Sequence, residues 1–367
     1  MFICLVLAAC GGDNNTPTAA PAPATATTGS ASVPATAATP PASATVAMTG
    51  TSGTTTSACA NPTHVVLATG FTPNVGNAPY YIAMAKGYYT ANCLNVEIKY
   101  GQVTNVYQLV SDGQIQFVLV TGDTLIPARL KGVNIKYIMA TNQKYPVGAL
   151  ALANSGFSLK SPADLKGHSV GYSAAGSSTY VGMEAMLKAA NLTDNDIKPI
   201  QIGFNEVEAL TSKRVDIAFT FLSNEAVQMR ALGYQVQTLQ LPNTANLISS
   251  GVAAGDKLIQ EHPEMVQAFV SATAHGLKDA LADPSGAFDI SLKQLGDLSP
   301  DKIPVQRDVM TATLDYMQPP SGGHPLGWSD PAGWQATQNL LQATGIISGT
   351  ADPTTFYTNQ FAEAAKP

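Results

Sequence analysis

The side chains able to hold a small polar molecule gather in a few short loops. Residues 69–89, TGFTPNVGNAPYYIAMAKGYY, carry Asn74, Asn77, Tyr80 and Tyr81. Asparagine amides both donate and accept hydrogen bonds, and tyrosine adds an aromatic face with a polar tip. Residues 173–179, SAAGSST, place Ser173, Ser177 and a glycine where a helix would begin. N–H and O–H groups at such a point can receive an anion or a carbonyl, although a serine N-cap alone would also account for them. In 121–124, TGDT, Thr121 or Asp123 can cap the helix that follows. In 221–226, FLSNEA, Glu225 can accept from an amine or a ring N–H, or equally face the helix dipole as a first-turn carboxylate. No paired carboxylates, Ser/His/Asp set or phosphate-cradling glycine loop is evident. Five histidines stand singly and four cysteines lack CxxC spacing, so neither a metal site nor a cofactor is expected.

These loops fall between alternating strand-like and helix-like segments. Residues 65–68 are a short apolar, β-branched run, as in a strand covered on both faces. Thr72-Pro73-Asn74 and Gly76-Asn77 are turn chemistry, Pro79 suits a first helical turn, and Lys86-Gly87 closes that helix. Further strands are expected at 94–100, 115–120, 134–140, 168–172, 197–202, 215–219 and 235–240, with helices between them. Asn205 is placed as the cap of one such helix. The alternation implies an α/β fold, a parallel or mixed sheet with helices on both faces. Two extended apolar segments, 147–153 and 246–253, bracket a compact α/β unit inside a larger one. The pattern predicts two lobes joined by two hinge crossovers: lobe I from 61–150 and 250–367, lobe II from 151–249. Helices expected at 263–282, 287–295, 305–317 and 332–343 complete lobe I. Polar loops of both lobes would then face a single cleft, the usual position of a small-molecule site.

Residues 1–9 are apolar and end in Leu7-Ala8-Ala9 before Cys10, which reads as a signal peptide cut ahead of the cysteine. Leu-Ala-Ala-Cys-Gly-Gly resembles the lipobox of bacterial lipoproteins, and that resemblance implies a diacylglyceryl thioether on Cys10. The first basic residue is Lys86, so no cation precedes the apolar run, a departure from the signal-peptide pattern. Residues 11–60 are almost wholly Thr, Ala, Pro, Ser and Gly, with Asp13 the only charge. Such a segment reads as a disordered tether. About 300 residues follow, enough to bury about three-quarters of their unfolded surface. The net charge of −6 with no Lys/Arg cluster argues against nucleic acid as a partner. No other run reaches the roughly 20 apolar residues of a membrane span. The expectation is an extracytoplasmic domain held to the membrane by lipid. With Cys4 removed and Cys10 lipidated, Cys59 and Cys93 remain; a disulfide between them is favoured over two free thiols in that compartment.

At this point the chain resembles the substrate-binding proteins of ABC importers. More narrowly, it resembles the branch related to the thiamine-pyrimidine-precursor synthase of fungi, which includes binders of pyrimidines, riboflavin and aliphatic sulfonates. The resemblance runs from about His64 to about Leu341. Its carriers are TPNxxxAPYYIAxAKGYY at 72–89, VLVTGDT at 118–124, LKGHSVGYSAAGSS at 165–178, GFNEVEAL at 203–210 and FxxNEA at 221–226.

The resemblance implies a two-lobed periplasmic-binding-protein-like fold of type II. It implies capture of a small molecule by hinge closure and delivery to a permease and its ATPase, with the binding protein a monomer. Carried over residue by residue, it puts Asn74, Asn77, Tyr80, Tyr81, Asp123 and Asn142 on one lobe. Ser173, Ser177, Asn205, Phe221, Asn224 and Glu225 face them from the other, and Trp328 covers the cleft; Trp334 reads as helix core. This set suits a flat heterocycle. Riboflavin is favoured, with Tyr80 and Tyr81 sandwiching its ring system; a thiamine pyrimidine precursor is the alternative. A sulfonate fits less well, because the cleft loops contain no arginine. The fungal synthase consumes an active-site histidine and uses iron with a cysteine-rich motif. No cysteine cluster occurs here, so a non-enzyme is expected.

Overall fold

The structure, a computed structural model, describes residues 59, 61–70, 72–101, 104–242 and 245–367. The expected signal peptide, Cys10 and nearly all of the expected tether lie outside the described residues.

Strand β1 (Thr63–Ala68) leads through a 3₁₀ turn (Val75–Asn77) into α1 (Ala78–Ala85) and the short α2 (Tyr88–Ala91). β2 (Leu94–Lys99), α3 (Val106–Ser111), β3 (Phe117–Val120), α4 (Gly122–Leu130) and β4 (Ile135–Ala140) follow. The chain crosses to β5 (Val147–Leu152), β6 (Ser169–Tyr172), α5 (Ser178–Ala189), β7 (Lys198–Gln201), α6 (Glu206–Thr211), β8 (Ile217–Phe221), α7 (Glu225–Ala231) and β9 (Val236–Gln240). It returns in β10 (Gly251–Gly255). Helices α8 (Asp256–Glu261), α9 (Pro263–Ala282), α10 (Pro284–Leu292), α11 (Lys302–Leu314), α12 (Pro331–Ala343) and α13 (Gln360–Ala364) complete it.

The strands form two sheets, ordered β2-β1-β3-β10-β4 and β7-β6-β8-β5-β9. The two orders are the same pattern, with the returning strands exchanged between the lobes. In the first sheet β10 runs antiparallel to β3 and β4; in the second β5 runs antiparallel to β8 and β9. Residues 147–153 and 246–253 were expected as crossovers. VGALAL (Val147–Leu152) and GVAAG (Gly251–Gly255) instead form inner strands, buried along almost their whole length, while 246–250 do lie in a connection between the lobes. An apolar run without alternation is best buried with a strand on each side and helices on both faces. The connections are therefore 141–146 and 241–250, and a lobe boundary at residue 150 falls inside β5.

Each sheet is covered on both faces. On one face of the first sheet Tyr80, Ile82, Phe269, Leu277, Phe288 and Met310 pack from α1, α9, α10 and α11. On the other, Val110, Leu125, Ile126, Trp334 and Leu341 pack from α3, α4 and α12. Val181 and Ala185 of α5 join that second cluster, so the lobes share apolar contact. The second sheet packs Met183 and Met186 of α5 on one face, and Leu210 of α6 with Met229 of α7 on the other. Helix α1 lies very close on α9: a Cβ at Gly276 would collide with the Pro79 carbonyl oxygen. Cys59 and Cys93 are joined as a disulfide, with Cα atoms 5.4 Å apart.

Candidate functional site

The carboxyl ends of the parallel strands of the two sheets face each other, and one side chain shows it. Tyr145 sits between β4 and β5. Its hydroxyl donates to Asp123 Oδ2 (2.9 Å) and to the Ser178 carbonyl oxygen (3.2 Å). Asp123 follows β3 in the first lobe; Ser178 opens α5 after β6 in the second. The helices that follow β1 and β3, α1 and α4, lie on opposite faces of the first sheet, and those that follow β6 and β8, α5 and α7, lie on opposite faces of the second, so β1/β3 and β6/β8 are topological switch points. Open α/β sheets bind ligands in the crevice there.

Several polar atoms of the first lobe converge on this edge without partners. Asp123 is 1 % exposed, and its Oδ1 accepts no hydrogen bond among the described residues. Burial pushes its carboxyl above the usual range, tempered by the hydroxyls of Thr121, Ser178 and Tyr145. The Tyr80 and Ser249 hydroxyls are buried and likewise unpaired. Thr141 lies near the Tyr80 hydroxyl and gives both its N–H and its side-chain O–H to the Ser250 carbonyl (3.0 Å each). Asn142 is buried too; its N–H goes to the same carbonyl (3.0 Å), and its amide side chain has no hydrogen bond among the described residues. A buried unpaired polar group costs about 1–3 kcal/mol. Such groups gathered at one sheet edge mark a place where a partner is expected.

The second lobe answers with acceptors. The Ser173 hydroxyl donates to Glu206 Oε1 (3.2 Å), and the Ser173 N–H donates to Thr179 Oγ1 (2.9 Å). The Thr179 hydroxyl is also 2.9 Å from those of Ser173 and Ser177. Ser177 caps α5, its Oγ accepting from the Tyr180 N–H (3.3 Å). Glu225 accepts from Thr220 Oγ1 and from Asn224 Nδ2, each at 2.6 Å. Burial raises both the Glu206 and the Glu225 carboxyl, and the Glu225 charge raises Glu206 further. The facing loops hold no arginine, histidine or cysteine. An anion would therefore meet buried carboxyls, whereas a neutral molecule bearing N–H and O–H donors would find acceptors with lone pairs to spare.

The residues singled out in the sequence divide into two groups. Asp123, Asn142, Ser173, Ser177, Asn224 and Glu225 lie on the two facing edges. Tyr80 contributes its hydroxyl there, but its ring (2 % exposed) belongs to the α1/α9 core. Tyr81 is 1 % exposed, its hydroxyl receiving Tyr100 Oη–H (3.2 Å) and Asn77 Nδ2–H (3.4 Å). Adjacent residues on a helix point about 100° apart, so Tyr80 and Tyr81 do not form two parallel walls. Asn74 is exposed and spends its side chain locally, on Thr72 O and the Gly76 N–H. Asn205 stands at the N-cap of α6 as expected, but its side chain makes no capping bond and turns its amide to the Ile202 carbonyl (3.4 Å). Phe221 packs on the α5 side of its sheet. Trp328 stacks flat on His324 at 3.7 Å, and its carbonyl accepts from Gln143 Nε2 (2.9 Å). Trp334 is fully buried. Two cavities, of about 240 and 210 Å³, run along the lobe seams beside α7/α11 and α5/α12, and neither is lined by these edge residues.

Sequence reasoning passed over Glu206, Thr179, Tyr145 and Ser249. Glu206 carried a signal, a carboxylate directly after Gly203-Phe204-Asn205 at a strand end. Tyr145 and Ser249 carried none, because their role depends on which loops the crossovers bring together.

Two lobes of matching topology, with hydroxyls and carboxyls converging between their strand ends, define a two-lobed binding protein of the periplasmic-binding-protein fold. Residues 74–287 match the family described as NMT1/THI5 like, and the chain belongs to that family. It is 33 % identical over 313 residues to riboflavin-binding protein RibY of Chloroflexus aurantiacus, covering 82 % of this chain and 87 % of that one. It is 22 % identical over 257 residues to the 4-amino-5-hydroxymethyl-2-methylpyrimidine phosphate synthase of Legionella pneumophila, covering 69 % and 79 %. Among solved structures, the periplasmic aliphatic sulphonate binding protein SsuA of Escherichia coli matches with a TM-score of 0.64 at 16 % identity, over 80 % of this chain and 92 % of that one.

Proposed function

We propose that this chain is the solute-binding component of an ABC importer and that its ligand is riboflavin. The observation that carries the reading is the inter-lobe site itself: unpaired donors and acceptors on one lobe opposite Ser173, Glu206 and Glu225 on the other, with no arginine or histidine in the facing loops to suit an anionic ligand. The RibY relative supports the choice of riboflavin. The lobes close by rotation about 141–146 and 241–250, and the closed form docks as a monomer on a permease served by an ATPase. The domain works outside the cytoplasmic membrane, held by lipid on Cys10.

A second reading, a thiamine pyrimidine precursor, is favoured by one feature. Asn224 and Glu225 stand side by side, an amide and a carboxyl suited to an aminopyrimidine edge. In either case we take the chain to be a binder and not a synthase, since the facing loops carry no histidine or cysteine.

Titration of the full chain with riboflavin tests the proposal. Mutual quenching of tryptophan and flavin fluorescence to a one-to-one endpoint is expected. Absence of quenching, with an aminopyrimidine raising the melting temperature instead, would transfer the assignment to the second reading.

A further inference from the structure

The site is polarised along the line from hinge to mouth. β2 and β7 are the strands farthest from the crossovers in their sheets. The loops that follow them therefore rim the cleft on the side away from the hinge. Each presents an aromatic ring. Tyr100 follows β2, half-buried, its orientation fixed by the bond to the Tyr81 hydroxyl. Phe204 follows β7 and is 75 % exposed. The other described phenylalanines are buried or half-buried. Its loop is not loose. Gly203, at φ +67°, turns the chain, its N–H bonds the Ser173 carbonyl (3.2 Å), and Glu206, two residues after Phe204, is tied to the Ser173 hydroxyl. A large apolar ring is thus held in water at the rim of a polar site, on a turn anchored to that site. Nearer the hinge the edges carry Asp123, Asn142, Ser249 and Glu225 instead.

We infer that the ligand enters polar chain first, with its aromatic ring left at the mouth between Phe204 and Tyr100, and that phosphorylated forms are excluded. The inference rests on the riboflavin reading and orients that ligand. The ribityl hydroxyls take the lone pairs of Glu206, Glu225 and Asp123, and the ring system is clamped by aromatic side chains from opposite lobes. Walls on opposite lobes can lie parallel, which two neighbours on α1 cannot. A phosphate at the end of the chain would be driven among buried carboxyls, where like charge is strongly unfavourable.

The test compares riboflavin, lumiflavin (the ring without the polyol) and flavin mononucleotide on the full chain, and riboflavin on Phe204→Ala and Phe204→Trp. Phe204→Ala should weaken riboflavin about ten-fold without moving the melting temperature, since the side chain packs on little. Phe204→Trp should keep affinity and deepen flavin quenching. Lumiflavin should bind less tightly than riboflavin, and flavin mononucleotide at least about a hundred-fold less tightly. Riboflavin affinity of Phe204→Ala within two-fold of the unmodified chain (about 0.4 kcal/mol), or equal binding of flavin mononucleotide, would overturn the inference while leaving the riboflavin reading intact. A chain that binds no flavin at all would overturn both.

Discussion

Tyr145→Phe isolates the group that ties the lobes together. The ring stays, and only the shared O–H to Asp123 Oδ2 and the Ser178 carbonyl is lost. Asp123 is 1 % exposed and its Oδ1 already lacks a partner, so the variant takes the Tyr145 donor from Oδ2 and leaves the buried carboxyl with the hydroxyls of Thr121 and Ser178. Losing a hydrogen bond to a charged group costs about 1.5–3 kcal/mol, or about 3–6 °C in Tm for a chain of this size. The cost must depend on pH. Asp123 already sits above the usual carboxylate range. Removing a donor that favours the ionised form raises it further. A raised carboxyl lowers stability when ionised, so the deficit is full above the folded value and fades as pH falls through it towards about 4. Thermal melts of both proteins from pH 7 down to about pH 4 measure this directly. The melting temperatures should differ clearly at pH 7 and draw together as the pH falls towards the ordinary carboxylate range. A deficit that stays the same over that whole span would refute the reasoning, as would one below about 0.5 kcal/mol at pH 7.

The raised Glu206 and Glu225 carboxyls make a paired prediction: acidification from neutrality towards the ordinary carboxylate range should raise the unliganded melting temperature and weaken riboflavin, because donor-bearing ligands need the ionised groups. Loss of affinity without any rise in stability would contradict it. Replacing Cys59 and Cys93 together by serine opens a loop of sequence separation 34 and should cost about 4 kcal/mol on the chain-entropy account, with riboflavin affinity retained in melts and titrations below the new transition. Gly276→Ala places a methyl against the Pro79 carbonyl and should cost about 1–3 kcal/mol by pushing α1 off α9; an unchanged urea midpoint would count against that packing.

Much of the architecture was legible because its signals are local. The bounds of α9 were readable from Pro263 at its start and the apolar period that follows. The strand-end turns, Pro79 in the first turn of α1 and the Ser177 cap were equally plain, since caps and turns act within a few residues. Segments 147–153 and 246–253 were recognised as extended and apolar. Chain sequence could not say that 147–152 and 251–255 form inner strands, because that depends on which neighbours offer an open edge.

The same division runs through the site. Residue type placed Asp123, Asn142, Ser173 and Glu225 at strand ends, and strand ends are where sheets bind. It could not reveal that Tyr145 spans Asp123 and Ser178, or that Glu206 reaches Ser173 across 33 positions of chain. Nor could it show that Tyr80 and Tyr81 turn into the first lobe while Phe204 stands exposed at the rim. Hydrogen-bonding capacity is a property of the side chain and is written in the sequence. Which capacities meet is set by sheet order and by two crossovers, and only the packed structure decides that.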